Sequence, residues 1–183
     1  MEDLSLHILD IAENSISAGA CLINITITED TAGDVLTIGI EDNGKGMSED
    51  IRAKVLDPFY TTRTTRKVGL GLPLLAQSAR ETGGDISVKA GDTGGTSVTA
   101  FFKKSHIDMK PLGDIAETLV VLIAGNPEVE FLFTYSKDDK AFSLDTRRIK
   151  EELDGMPISA PPVLSFLKKY MGDSLRDVND EVV

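Results

Sequence analysis

The sequence predicts an α+β fold on three observations. Residues 4–17 place Leu4, Ile8, Ile11 and Ile16 near helical spacing, with Gly19 as a stop. Residues 23–28, Ile-Asn-Ile-Thr-Ile-Thr, alternate as a strand with one buried face does. Helical and strand patterns then intermix along 183 residues, a length that suits one good core or one domain with a small appendage.

The remaining elements follow in order. Residues 30–34 contain Gly33 and form a turn, and residues 35–41 return as a second strand. Two glycines in residues 42–47 break that pattern. Residues 48–55 make a short helix, with Ser48 as cap and acidic residues in its first turn. Residues 57–66 are polar, threonine-rich and expected to be mobile. Residues 70–82 are helical, so Pro73 must lie in the first turn. Residues 85–90 and 96–103 are strands joined by the glycine-rich turn 91–95.

The character of the chain shifts around residues 105–111, and a domain boundary is placed between 104 and 105. A helix (112–124), a hairpin (129–135 and 140–144) and two helices (146–153 and 163–171) follow as a small α+β module. Phe131-Leu132-Phe133 either pairs in a small sheet or forms a partner surface. Residues 173–183 are acidic and expected to fray.

Composition narrows the function classes. A net charge of −11 disfavours broad binding to nucleic acid or to an anionic membrane. It still permits one bound nucleotide, because backbone amides and a metal ion offset phosphate charge locally. One cysteine, Cys21, allows no internal disulfide and no cysteine zinc site, and is expected to be a small packing residue at a strand start. The acidic start Met1-Glu2-Asp3 lacks the basic region of a signal peptide, and the longest apolar run, 119–124, is too short to span a bilayer. A cytoplasmic protein is expected.

Four motifs bear on chemistry, each with a plain structural alternative. Asp10 and Asn14 lie four apart on the first helix and share a face. An asparagine oxygen suits Mg²⁺, and a carboxylate one turn earlier can orient a water or hydroxyl. The alternative is a solvent-facing helix surface, and His7 on the same side is expected to be packed or solvated. Asp42-Asn43-Gly44-Lys45-Gly46-Met47 ends a strand with a carboxylate able to accept from an exocyclic amine, beside glycines that let a flat ring approach. The alternative is an ordinary turn. Gly69-Leu70-Gly71-Leu72 opens a helix, where free amides favour anions, but it has neither the ending of a P-loop nor a Rossmann fingerprint. Arg63, Arg66 and Lys67 before it either contact phosphates or keep a loop soluble. Gly94-Gly95-Thr96 fits a hairpin turn, with Thr96 either near a ligand or packed in its strand.

The order of these motifs carries a resemblance. Residues 9–20, Leu-Asp-Ile-Ala-Glu-Asn-Ser-Ile-Ser-Ala-Gly-Ala, resemble the N box of MutL-type ATPases. Residues 42–47 look like the G1 box, Asp57-Pro58-Phe59-Tyr60-Thr61-Thr62 like the F box of histidine kinases, and residues 69–72 like the G2 box. Thr82-Gly83-Gly84 with Gly95-Thr96 matches the usual ending. Residues 4–103 thus resemble the GHKL ATP-binding domains of gyrase, heat-shock chaperone, histidine kinase and MutL.

The resemblance implies the Bergerat fold, a two-layer α+β sandwich, here with a small C-terminal α/β appendage, and an ATP site within residues 10–97. It implies Mg²⁺ at Asn14 and the adenine amine at Asp42. Gly44, Gly46 and Met47 would shape the base pocket, with Thr96 near the base. Gly69, Leu70, Gly71 and Leu72 would border the phosphates, and residues 57–68 would be the lid. Asp10 stands where hydrolytic members usually carry a glutamate base. The shorter side chain implies slow hydrolysis. Glu13 lies about 100° round the helix from Asn14 and is the poorer base. There is no room before Leu4 for a phosphoacceptor hairpin, and neither His7 nor His106 lies in such a context, so a self-contained histidine kinase is not expected.

Three functions remain in view. One is an ATP-dependent switch with weak hydrolysis, acting on a protein partner or a second copy through the C-terminal region. Another is a kinase that phosphorylates a separate partner, as anti-sigma-factor serine kinases do. The third is a non-catalytic nucleotide sensor.

Overall fold

The computed structural model describes residues 3–57, 71–92 and 94–179. The elements in chain order are α1 (Leu4–Ser17), β1 (Leu22–Asp30), β2 (Val35–Asp42), α2 (Glu49–Arg52), α3 (Gly71–Glu81), β3 (Asp85–Ala90) and β4 (Thr96–Lys103). Then come α4 (Ile115–Gly125), β5 (Glu130–Lys137), β6 (Lys140–Asp145), α5 (Thr146–Glu152) and α6 (Pro161–Asn179). The strands form one mixed sheet in the order β3-β4-β2-β1-β5-β6, antiparallel except for the β1–β5 pair.

Alternation in the strands decides which face the helices cover. Ile23, Ile25 and Ile27 of β1 are buried, as are Leu36, Ile38 and Ile40 of β2, Val98, Ala100 and Phe102 of β4, and Phe131, Phe133 and Tyr135 of β5. The register sets these side chains beside one another, with Ile25 opposite Ile40 and Phe133, and Ile40 opposite Val98. Intervening positions such as Thr26, Thr37, Thr99 and Thr134 are only partly buried, on the opposite face. The apolar face packs against helices, giving the two-layer α+β sandwich.

The expected boundary at 104/105 lies in the segment between β4 and α4. Strand β5 pairs in parallel with β1 along its length, so the hairpin extends the same sheet. Phe131 and Phe133 face its core, which resolves the alternatives left open for that apolar run in favour of strand pairing. A strap joins β4 to α4 across the start of α1. The Leu4 and Ser5 amides donate to the carbonyls of Pro111 and Leu112 at 3.0 and 2.9 Å. Because Leu112 is engaged there and Gly113 takes a φ of +81°, α4 starts after Asp114, whose carboxylate caps the Glu117 amide.

The stretch 173–183, expected to fray, is helical as far as Asn179, and residues 180–183 lie outside the described residues. Helix α6 runs to Asn179, with Val178 buried. The Tyr135 hydroxyl oxygen lies 2.6 Å from both Asn179 Oδ1 and Glu29 Oε1, and Lys137 Nζ donates to the Asn179 carbonyl. These contacts from the sheet hold a helix end whose composition alone looks unanchored. No described helix is long and apolar enough to cross a membrane.

Candidate functional site

Asp42 continues the core-facing phase of β2, following Leu36, Ile38 and Ile40, yet it is a carboxylate only 5% exposed. Such burial requires partners. The Ser15 hydroxyl donates to Oδ2 at 2.7 Å, and the Gly44 and Thr96 amides donate to Oδ1 at 2.9 and 3.3 Å. Three separate segments thus meet on one side chain: the last turn of α1, the loop after β2, and the start of β4.

Backbone crowding explains the glycines. A Cβ on Gly95 would lie 2.0 Å from the Asp42 carbonyl oxygen and 2.4 Å from its Oδ1. A Cβ on Gly44 would meet the Ala18 carbonyl oxygen at 3.0 Å. Gly46 has a φ of +68°, and a Cβ there would lie 2.8 Å from the Gly94 carbonyl oxygen. The loop after β2 and the β3–β4 turn therefore touch through their backbones. Asn43 ties the same loop to β1, its Oδ1 accepting from the Cys21 and Leu22 amides at 3.0 Å each. Cys21 itself is exposed rather than packed, and its sulfur accepts from Asn43 Nδ2.

A second cluster lies one to two turns earlier on α1. Gly71, the first residue of α3, abuts Asp10 so closely that a Cβ would fall 1.7 Å from Oδ2. The carboxylate therefore sits at the amino end of α3, where helix amides favour negative charge. Asn14 is half-buried on α1 between Asp10 and Ser15, whereas Glu13 is exposed. With 1.5 Å rise per residue, the two clusters lie roughly 7 Å apart along α1.

Of the expected site residues, Gly44 and Thr96 meet at the Asp42 carboxylate, Gly46 lies against the Gly94 and Gly95 backbone, and Asp10 meets Gly71. Met47 is half-buried against the core, and its carbonyl accepts from Arg52. Leu72 is buried in the core beneath the start of α3. Gly69, Leu70, Arg63, Arg66, Lys67 and nearly all of the expected lid lie outside the described residues. Ser15, Asn43 and Gly95 are additional contributors. Ser15 directly follows Asn14, but only the fold brings it to Asp42, 27 positions later. Among the described residues there is no group of three or more His, Cys, Asp or Glu side chains placed to hold a metal.

His7 is fully buried between α1 and α3, its Nε2 3.4 Å from Ser78 Oγ, which also accepts from Lys110 Nζ at 2.7 Å. Burial, and next the Lys110 charge, push the imidazole down from 6.5 to about 4. The unfolded chain therefore binds the extra proton between those values, and stability falls as pH drops through that window. The contribution is complete above pH 6.5 and lost by about pH 4, at most roughly 3 kcal/mol. His7→Gln is expected to flatten the stability–pH curve over this range in urea titrations. An unchanged slope would refute the assignment.

The fold and the site define a two-layer sheet-and-helix domain with a buried carboxylate, Asp42, where α1, β2 and β4 meet. The chain belongs to the family of histidine kinase-, DNA gyrase B-, and HSP90-like ATPases, whose model matches residues 2–106. It is 43% identical over 54 residues to the C4-dicarboxylate transport sensor protein DctB of Pseudomonas aeruginosa, covering 29% of this chain and 9% of that protein. It is 35% identical over 79 residues to the sensor-type histidine kinase PrrB of Mycobacterium leprae, covering 42% and 17%. The matched stretches are thus a small part of those relatives. Among solved structures, the N-terminal domain of a DNA repair protein aligns at TM-score 0.51 and 16% identity, over 79% of this chain and 53% of that one. The Aquifex aeolicus MutL ATPase domain complexed with ADP aligns at TM-score 0.48 and 16% identity, over 84% and 70%.

Proposed function

We propose that this chain binds Mg-ATP within residues 10–97 and works as an ATP-dependent switch with weak hydrolysis. The buried Asp42 carboxylate carries the reading. It is an anionic acceptor at a core-facing strand position, bordered by glycine backbone, and it suits the exocyclic amine of a flat base. Gly44, Gly46, Met47 and Thr96 would line the base, while Gly69, Leu70, Gly71 and Leu72 would border the phosphates. One amide, Asn14, and one carboxylate, Asp10, would serve the triphosphate end. That small set suits Mg²⁺, which completes its shell with phosphate and water, and the ion would offset phosphate charge there.

Asp10 would orient or deprotonate the attacking group. Aspartate reaches about one methylene less far than glutamate, and a misplacement near 1 Å can cost about 100-fold in rate, so slow turnover is expected. The curated relatives include proteins named as sensor kinases, which favours a second reading: transfer to a partner's acceptor, with Asp10 taking its proton. A partner, or a second copy, would engage the C-terminal residues. There a cavity of about 450 Å³ lies between α5 and α6, beside the exposed, stacked rings of Phe166 and Tyr170.

The test is a set of assays on the purified chain. Mg-ATP is expected to raise the melting temperature. Slow phosphate release, lost in Asp10→Asn, supports the switch. Label passing from γ-labelled ATP to a co-purified protein, without release alone, supports the kinase. A melting shift with neither reaction leaves a sensor, and no shift at all refutes nucleotide binding.

A further inference from the structure

We infer that Ser15 is a positioning residue that sets the selectivity of the Asp42 pocket for an amino-bearing base; the inference rests on the ATP-binding reading above. An ionised carboxylate offers about four acceptor sites. On Oδ1 the Gly44 and Thr96 amides occupy both. On Oδ2 the Ser15 hydroxyl occupies one, at 2.7 Å and away from solvent. The acceptor direction left for a ligand is therefore on Oδ2, beside Ser15.

A serine within a helix ordinarily bonds back to its own helix or faces water. Ser15 instead reaches across to β2. The torsion that swings a carboxylate is soft. The two amides hold Oδ1, and Ser15 restrains the other oxygen, the one that would receive the ligand. With a single fixed acceptor direction, the pocket favours a base edge that donates N–H and rejects one that presents a carbonyl. A site whose buried polar group must be matched discriminates strongly against a ligand that leaves it unmatched. Removing the hydroxyl returns motion and a second open acceptor site to Oδ2, so an amine binds less firmly and the contrast with a carbonyl narrows.

The experiment compares dissociation constants for ATP and inosine triphosphate, its 6-oxo counterpart, by calorimetry on the full chain. Ser15→Ala is expected to lose on the order of tenfold in ATP affinity with little change for inosine triphosphate. Ser15→Thr, which keeps the hydroxyl, restores the preference. In an Asp42→Asn background, Ser15→Ala costs nothing further. Equal weakening of both nucleotides, or a lowered melting temperature with an unchanged affinity ratio, would mean that Ser15 only packs and would overturn the inference. If Ser15→Ala does not fold, Ser15→Cys substitutes a weak donor. Its ratio should then fall part of the way, and an unchanged ratio is again fatal. Failure of the unsubstituted chain to bind either nucleotide overturns the ATP reading itself, whereas ATP binding with an unaltered ratio in the variants overturns only the role of Ser15.

Discussion

Asp42→Ala is expected to abolish the ATP-induced melting shift and to cost about 3 kcal/mol of stability. The variant removes the acceptor shared by the Ser15 hydroxyl and the Gly44 and Thr96 amides. Each buried donor left without a partner costs about 1–3 kcal/mol, less where water enters the vacated space. Against a total of about 5–15 kcal/mol for a typical domain, that is a large fraction. Asp42→Asn separates the two effects. It keeps an oxygen for the amides but presents an NH₂ group where the ligand amine and Ser15 both need an acceptor. Folding should survive while nucleotide affinity falls by at least about 100-fold, the scale of leaving a charge-assisted pair unmatched. Urea titration and calorimetry measure both quantities. An ATP affinity unchanged in Asp42→Asn would remove Asp42 from the site.

Gly95→Ala is the second substitution with a large expected effect. The added Cβ would lie 2.0 Å from the Asp42 carbonyl oxygen and 2.5 Å from its carbonyl carbon. Both are backbone atoms of β2, so no side chain can rotate away. Either β4 separates from β2 at its start or the loop after β2 moves. Overpacking of this kind costs about 1–3 kcal/mol or more. The movement also carries the Thr96 amide away from Asp42, so nucleotide binding should fall with stability. Gly83→Ala is an informative comparison, because a Cβ there meets nothing within 4 Å. Its φ of +78° leaves only backbone strain of about 1 kcal/mol. Equal melting temperatures for the two variants would argue against the crowding.

Family membership places the fold, but particular residues show how far local pattern reaches. The alternation of Ile23, Ile25 and Ile27, and of Leu36, Ile38 and Ile40, is visible because side-chain direction in a strand has a period of two. That same phase, extended by two residues, already points Asp42 into the core. Helix α1 was legible from its apolar spacing, and α2 from the Ser48 cap and the acidic turn behind it. The end of α6 was not, because its anchors are Tyr135 and Lys137, residues of a strand more than forty positions away.

The sequence by itself determined the element types, the buried phase of β1 and the chemical kinds present at the site: a carboxylate, an amide and glycines. Those properties follow from backbone periodicity and from side-chain identity, both local. Tertiary structure alone decided which groups meet. It turned Ser15 toward Asp42, pressed Gly95 against the end of β2, set Asp10 on the first residue of α3 and joined residues 130–145 to the sheet beside β1. These are contacts between distant segments, created by burying one apolar sheet face beneath the helices. No window along the chain contains both halves of any of them.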